Sequence, residues 1–239
     1  MGQRQRGGIP RERVWAWLRP VSGGWRGAVG VGEPHDASGP AHPVLTRFVG
    51  QVYSRGAGRY DAVITRGVVR LMVPPAGDRT IAAWVLAHRP EPPVLDIPAG
   101  TGVYLRDLPD LAVGADLADG MLRVAQSRLP GVPLVQADAF TLPFRGDAFG
   151  TVLTALGLHV IPAPAGVIPE LARVLRPGGQ LLGVVPLISP YVATPARLRH
   201  LLDIPELVLE ELECRRLVAF FRARRNDVPV AGYEIDASA

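Results

Sequence analysis

The stretch Pro93-Val94-Leu95-Asp96-Ile97-Pro98-Ala99-Gly100-Thr101-Gly102 constrains this chain more than any other. Val94, Leu95 and Ile97 make a short apolar run of the kind that fills a parallel strand covered on both faces. An acidic residue lies inside the strand end. Gly100 and Gly102 follow, where the backbone must bend sharply and where a ligand can approach without meeting a side chain. Such a strand belongs in the middle of an α/β sheet, with a ligand site at its carboxyl end.

The residues downstream repeat the pattern. Twenty residues after Asp96, Leu111–Ala115 reads as a second strand running into Asp116, the position at which doubly wound folds set a carboxylate against ribose hydroxyls. A third strand, Val132–Val135, leads into Gln136-Ala137-Asp138-Ala139, and a fourth, Ala148–Leu156, into a polar turn and a helix. The segments VLDIPAGTG, GADLADGMLRVA, QADAFTLPF, TVLTALGLHVI and LARVLRPGG fall in this order over about residues 93 to 186. In that order they resemble the class I S-adenosylmethionine-dependent methyltransferases, in particular the branch of quinone-biosynthesis and many small-molecule enzymes. One glycine motif says little, whereas five motifs in register are specific. The chain departs from the family at Pro98, where glycine is usual. Proline fixes φ and removes an N–H, so the loop should be stiffer.

A nicotinamide cofactor is the competing reading of the glycine turn. It calls for a third glycine that lets the helix N-terminus meet a pyrophosphate, and here that position is Leu105. Asp96 would repel a phosphate, whereas S-adenosylmethionine carries an ammonium and a sulfonium that favour a nearby carboxylate.

The resemblance implies a doubly wound α/β domain with a seven-stranded, mostly parallel sheet in the order 3-2-1-4-5-7-6. The fifth strand is expected at Gln180–Pro186, and an antiparallel hairpin at Leu207–Cys214 and Leu217–Ala223 completes the sheet. Helices are expected at Asp78–His88, with Ile81, Trp84, Val85 and Leu86 toward the sheet, and at Val103–Leu108, Asp119–Leu129 and Pro195–Leu202. Residues 1–43 mix Arg, Gly and Pro without a period and read as a disordered tail. The methyltransferase domain then covers 44–230, opening with a helical lid over about 44–75, and 231–239 form a short C-terminal tail.

Site residues carry over one by one. Asp116 can accept both ribose hydroxyls, a geometry that suits a carboxylate; read without the resemblance, it caps the following helix. Pro98, Ala99, Gly100 and Gly102 form the loop under the cofactor, and Asp96 orients that loop and the methionine ammonium. Asp138 and Ala139 match the adenine-side motif, and Leu117, Met121 and Leu156 carry over as cofactor contacts. Tyr60 is either a lid contact or an ordinary packing aromatic on an amphipathic helix. His159, after the fourth strand, is either a general base for the acceptor or a packing residue. Nothing in the spacing of His, Asp and Glu suggests a metal.

Composition removes other chemistries. All 26 basic residues are arginine, so there is no lysine for a Schiff base or a P-loop. Cys214 is the only cysteine, which excludes an intrachain disulfide and a cysteine metal cluster. No apolar run reaches the roughly eighteen residues a bilayer span requires, and no secretory signal is evident, so a cytoplasmic protein is expected. Arginines gather at both ends, yet the formal net charge is only +4. This favours solvated segments over a nucleic-acid surface. The expected partner is a small-molecule methyl acceptor. RNA methylation, and a binding protein that keeps the cofactor fold without transfer activity, remain the alternatives.

Overall fold

The computed structural model describes residues 51–57, 67–74, 76–108 and 111–226. The expected tails at 1–43 and 231–239, the first part of the expected lid and Tyr60 lie outside the described residues.

The strands are β1 Val94–Asp96, β2 Ala112–Asp116, β3 Leu134–Gln136, β4 Phe149–Ala155, β5 Leu175–Pro186, β6 Leu207–Arg215 and β7 Val218–Arg225. They form one seven-stranded sheet in the order β3-β2-β1-β4-β5-β7-β6. The first five strands pair in parallel, and β7 pairs antiparallel with both β5 and β6. The order reverses between β1 and β4, the switch point at which ligands bind in open α/β sheets. The helices longer than one turn are α1 (51–57), α2 Asp78–Ala87, α3 Asp119–Arg128, α4 Ile168–Val174 and α5 Pro195–Leu202, with a single turn at Arg70–Met72 before α2.

Strand periodicity sorts the core into two layers, because successive side chains face opposite sides of a sheet. Leu95, Ile97 and Val152 pack with α4 and α5 residues such as Leu171 and Leu198. Val94, Leu153 and Ala155 pack on the other face with Ile81, Trp84 and Val85 of α2 and Leu122 and Ala125 of α3. All seven residues of β4 are buried, as expected of a central parallel strand. Pro195 occupies the first turn of α5, and Thr194 Oγ1 accepts a 3.1 Å bond from the Arg197 amide, a side-chain N-cap.

Four local expectations change. Leu86 is 44% exposed, because the sheet-facing stripe of α2 runs through Ile81, Trp84 and Val85 and leaves position 86 on the opposite side. Residues 103–108 give only a 3-10 turn at Leu105–Asp107, since so short a segment forms too few bonds to offset helix nucleation. β5 begins at Leu175 rather than Gln180: its register against β4 jumps from Phe149↔Leu175 to Thr151↔Gln180. The intervening Pro177-Gly178-Gly179 is therefore an irregularity within the strand, not a turn before it. The hairpin strands extend to Arg215 and Arg225, with the turn at Arg216 (φ 53°) and Leu217.

Candidate functional site

The carboxyl ends of β1 to β4 open into one cleft. Its walls are Ile97–Thr101 after β1, Asp116–Ala118 at the end of β2, Ala137–Phe140 after β3, and Ala155, Leu156 and Val160–Pro162 after β4. Tyr53 of α1, Val103, Tyr104 and Met121 complete it. The sheet places these residues because β2 and β3 end level, with Asp116 opposite Gln136, while β1 stops two residues earlier, with Asp96 opposite Gly114, and its loop turns over the cleft.

Asp116 organises the cleft. Its Oδ2 accepts from the Gly100 amide and its Oδ1 from the Ala118 amide, both at 2.8 Å. Burial pushes the carboxyl up to about 6, and the backbone bonds from Ala118, Gly100 and Leu117 oppose that shift. Each oxygen has two acceptor positions, so the carboxylate can still receive a hydroxyl beside the backbone amides.

Asp96 behaves differently from expectation. It is fully buried, sits behind the lining residues, and neither carboxylate oxygen has a hydrogen-bond partner among the described residues. Burial, and then the neighbouring Asp116 charge, hold its carboxyl well above the usual range. Orientation of the loop thus falls to Asp116 through Gly100. The unpaired Asp96 carboxylate beside a second acid is a locus for positive charge and a poor one for phosphate. The chemistry of the site therefore fits an ammonium- and sulfonium-bearing ligand such as S-adenosylmethionine.

The two turn glycines separate in role. Gly100 lines the cleft at φ 54°, with open space where a side chain would stand. Gly102, at φ 79°, is not in the lining: a Cβ there would come within 3.0 Å of Leu129 and 3.2 Å of Ala125. It lets the loop pack on α3. Pro98 lines the cleft, and its ring fits because Gly157 opposite it has no side chain; a Cβ at 157 would run into the ring.

Asp138 and Ala139 are in the lining. Asp138 Oδ1 accepts a 3.0 Å bond from the Phe140 amide, and burial pushes its carboxyl up. Leu117, Met121 and Leu156 (φ 58°) are in the lining as well. His159 is not among the lining residues. Its Nδ1 is buried without a hydrogen-bond partner among the described residues, and burial pulls the imidazole down to about 4.

Sequence reading missed Tyr53, Tyr104, Phe140, Ile161 and Pro162 as lining residues. Tyr53 and Tyr104 belong to local packing patterns, and nothing in their spacing marks a cleft; the Tyr104 hydroxyl donates to Asp78 Oδ1 at 3.0 Å. Phe140 stands beside the recognised Asp138-Ala139, so adjacency was the one available signal.

The arginine cluster on the hairpin is paired internally. Arg215 contacts Glu213, Arg222 and Arg224 contact Glu210, and Arg225 contacts Asp147. Among the described residues no three His, Cys, Asp or Glu side chains are placed to hold a metal ion, and no helix is long and apolar enough to cross a membrane.

The sequence model of the family described as "Methyltransferase domain" matches residues 95–183. The chain is 35% identical over 157 residues to the demethylmenaquinone methyltransferase of Beutenbergia cavernae, covering 63% of this chain and 58% of that one. It is 31% identical over 179 residues to the protein of the same description from Corynebacterium kroppenstedtii, covering 70% and 74%. Among solved structures it resembles the [4+2]-cyclase SpnF (TM-score 0.64, 18% identity, 78% and 98% covered). It also resembles an S-adenosylmethionine-dependent methyltransferase, possibly a histamine N-methyltransferase, from Thermotoga maritima (TM-score 0.60, 17% identity, 74% and 99% covered). At such identities the structural likenesses speak for the fold alone.

Proposed function

This chain belongs to the class I S-adenosylmethionine-dependent methyltransferases, and from that premise we propose that it methylates a small apolar acceptor of the quinol class. The observation that carries the reading is the meeting, at one sheet edge, of two buried acids with an apolar wall. Asp116, backed by the buried Asp96 behind the lining, forms the acidic side, and Phe140, Leu156, Val160, Ile161 and Pro162 the apolar one. The relatives described as demethylmenaquinone methyltransferases support the acceptor class.

When bound, S-adenosylmethionine supplies a methyl group on a sulfonium. Asp116, held by the Gly100 and Ala118 amides, accepts the ribose hydroxyls. Asp138 would accept from the exocyclic amine of the adenine, and Asp96, buried behind the lining, would favour the methionine ammonium through its charge rather than by contact. The apolar wall excludes water and aligns the acceptor, which for an in-line displacement can supply most of the acceleration. His159 stands behind the lining as a neutral imidazole at pH 7. The internally paired hairpin arginines leave few charges for phosphate contacts, so a small molecule is favoured over RNA as acceptor.

The test is direct. The full chain should bind S-adenosylhomocysteine in calorimetry and convert a short-chain demethylmenaquinol to its methylated product when S-adenosylmethionine is added. Binding of NAD with no response to either sulfur nucleoside would remove the whole reading. Cofactor binding without methylation of any quinol would remove the acceptor class.

A further inference from the structure

The helix α1 is seated on the first turn of α3 by a contact that admits no side chain. Ser54 Oγ donates to Asp119 Oδ1 at 2.8 Å and accepts from the Gly120 amide at 3.3 Å. Arg123 holds the other Asp119 oxygen at 2.5 Å. A Cβ on Gly120 would come within 2.7 Å of Ser54 Cα and 2.8 Å of its carbonyl carbon, and would strike the carbonyl oxygen. These are backbone atoms, so only a shift of α1 could relieve the clash. Ala57, Ala118 and Met121 are buried together around this junction, with Tyr53 and Val124 packed against them.

Tyr53 is the residue one position before the junction, and it lines the cleft. Asp116, held by the Gly100 and Ala118 amides, lies near enough for its charge to bear on the phenol, which burial already pushes up. Met121, one position after Gly120, lines the same cleft. The junction therefore sets where an aromatic wall stands relative to the acid at the end of β2.

We propose that Gly120, with Ser54 and Asp119, is a positioning device that seats α1 so that Tyr53 walls the cofactor end of the cleft. None of the three acts on the cofactor directly; Gly120 and Ser54 work through Tyr53. A glycine inside a helix is unfavourable relative to alanine, so here the close approach of α1 outweighs local helix preference.

This inference rests on cofactor binding in the cleft, and a double-mutant cycle separates the two. Affinity for S-adenosylhomocysteine is measured by calorimetry on the full chain for wild type, Gly120→Ala, Tyr53→Ala and the double variant. Each single change should weaken binding roughly ten-fold or more, and the double variant should be no weaker than the weaker single, because residues acting as one unit are non-additive. In turnover, Gly120→Ala should raise KM for S-adenosylmethionine and leave kcat within a few-fold. Ser54→Ala adds no bulk, keeps the fold testable if Gly120→Ala does not, and should show a smaller loss that vanishes in the Tyr53→Ala background. Losses that multiply in the double variant, or unchanged affinity in a folded Gly120→Ala protein, would overturn the proposal. A wild-type protein that binds no S-adenosylhomocysteine would instead overturn the functional reading beneath it.

Discussion

The Gly100 amide donates to Asp116 Oδ2 at 2.8 Å, tying the glycine turn after β1 to the acid at the end of β2 across sixteen residues. One carboxylate thus shapes the loop and faces the cleft. The amides of Gly100 and Ala118 orient it before any ligand arrives.

Replacing Asp116 with alanine should therefore weaken S-adenosylhomocysteine binding by roughly 2–3 kcal/mol, about 30- to 150-fold, as bonds to a charged acceptor are lost. The melting temperature should hold or rise, because burial of this carboxylate opposes its ionised form. Calorimetry and thermal denaturation on the same preparation check both parts. Wild-type affinity in a folded variant would remove Asp116 from the site.

The acidity of the site should be visible in binding. The Asp116 carboxyl is pushed up to about 6 from an ordinary 3.8, so the folded protein holds this proton more tightly than the unfolded chain. Its stability contribution is present below pH 3.8, declines as pH rises and is lost above about 6. A cationic ligand favours the ionised form, so cofactor affinity should climb between pH 5 and 7 and then level, with proton release on binding near pH 6. Asp96 is likewise raised, by burial first and then by the Asp116 charge. Calorimetry in buffers of different ionisation enthalpy measures the proton release, and Asp116→Asn should flatten the profile.

For His159 the sign is opposite. Burial pulls its imidazole down to about 4 from 6.5, so the group contributes stability above pH 6.5 that is lost as pH falls toward 4. At pH 7 it is neutral and a weak base, and it does not line the cleft. His159→Gln should leave both cofactor affinity and kcat within a few-fold. A fall in kcat of about 100-fold with unchanged affinity would restore it as a general base.

The Pro98 ring and Gly157 are matched surfaces. Gly157→Ala should destabilise the protein by about 1–3 kcal/mol, the usual cost of overpacking, because the proline ring cannot rotate away from the added methyl group. Removing the ring as well, in Pro98→Gly with Gly157→Ala, should recover part of the lost melting temperature. Additive losses in the double variant would show that the two positions do not share this space.

Much of the scaffold was legible in the chain because its signals are local. Val94, Leu95 and Ile97 alternate between two apolar layers, Gly100 takes a positive φ within a few residues of β1, and Asp116 stands at a strand end. Each is set by neighbouring residues and by the two-residue period of a strand. Those signals mark the edge at which a ligand binds, whereas the order of the strands followed from the resemblance to the methyltransferase family.

What the tertiary structure decided are relations between residues far apart in sequence. Asp96 has no hydrogen-bond partner among the described residues, because β2 and β4 flank β1 and seal it from solvent. Gly102 serves packing because Ala125 of α3 and Leu129 just beyond its end come against the turn. Arg222 and Arg224 are paired because β6 brings Glu210 and Glu211 beside β7. Gly120 matters because Ser54, sixty-six residues earlier, arrives against it. A one-dimensional pattern reports which face a residue takes within its own element. Only the packed chain reports what meets that face, since burial and charge are properties of surroundings that distant segments supply.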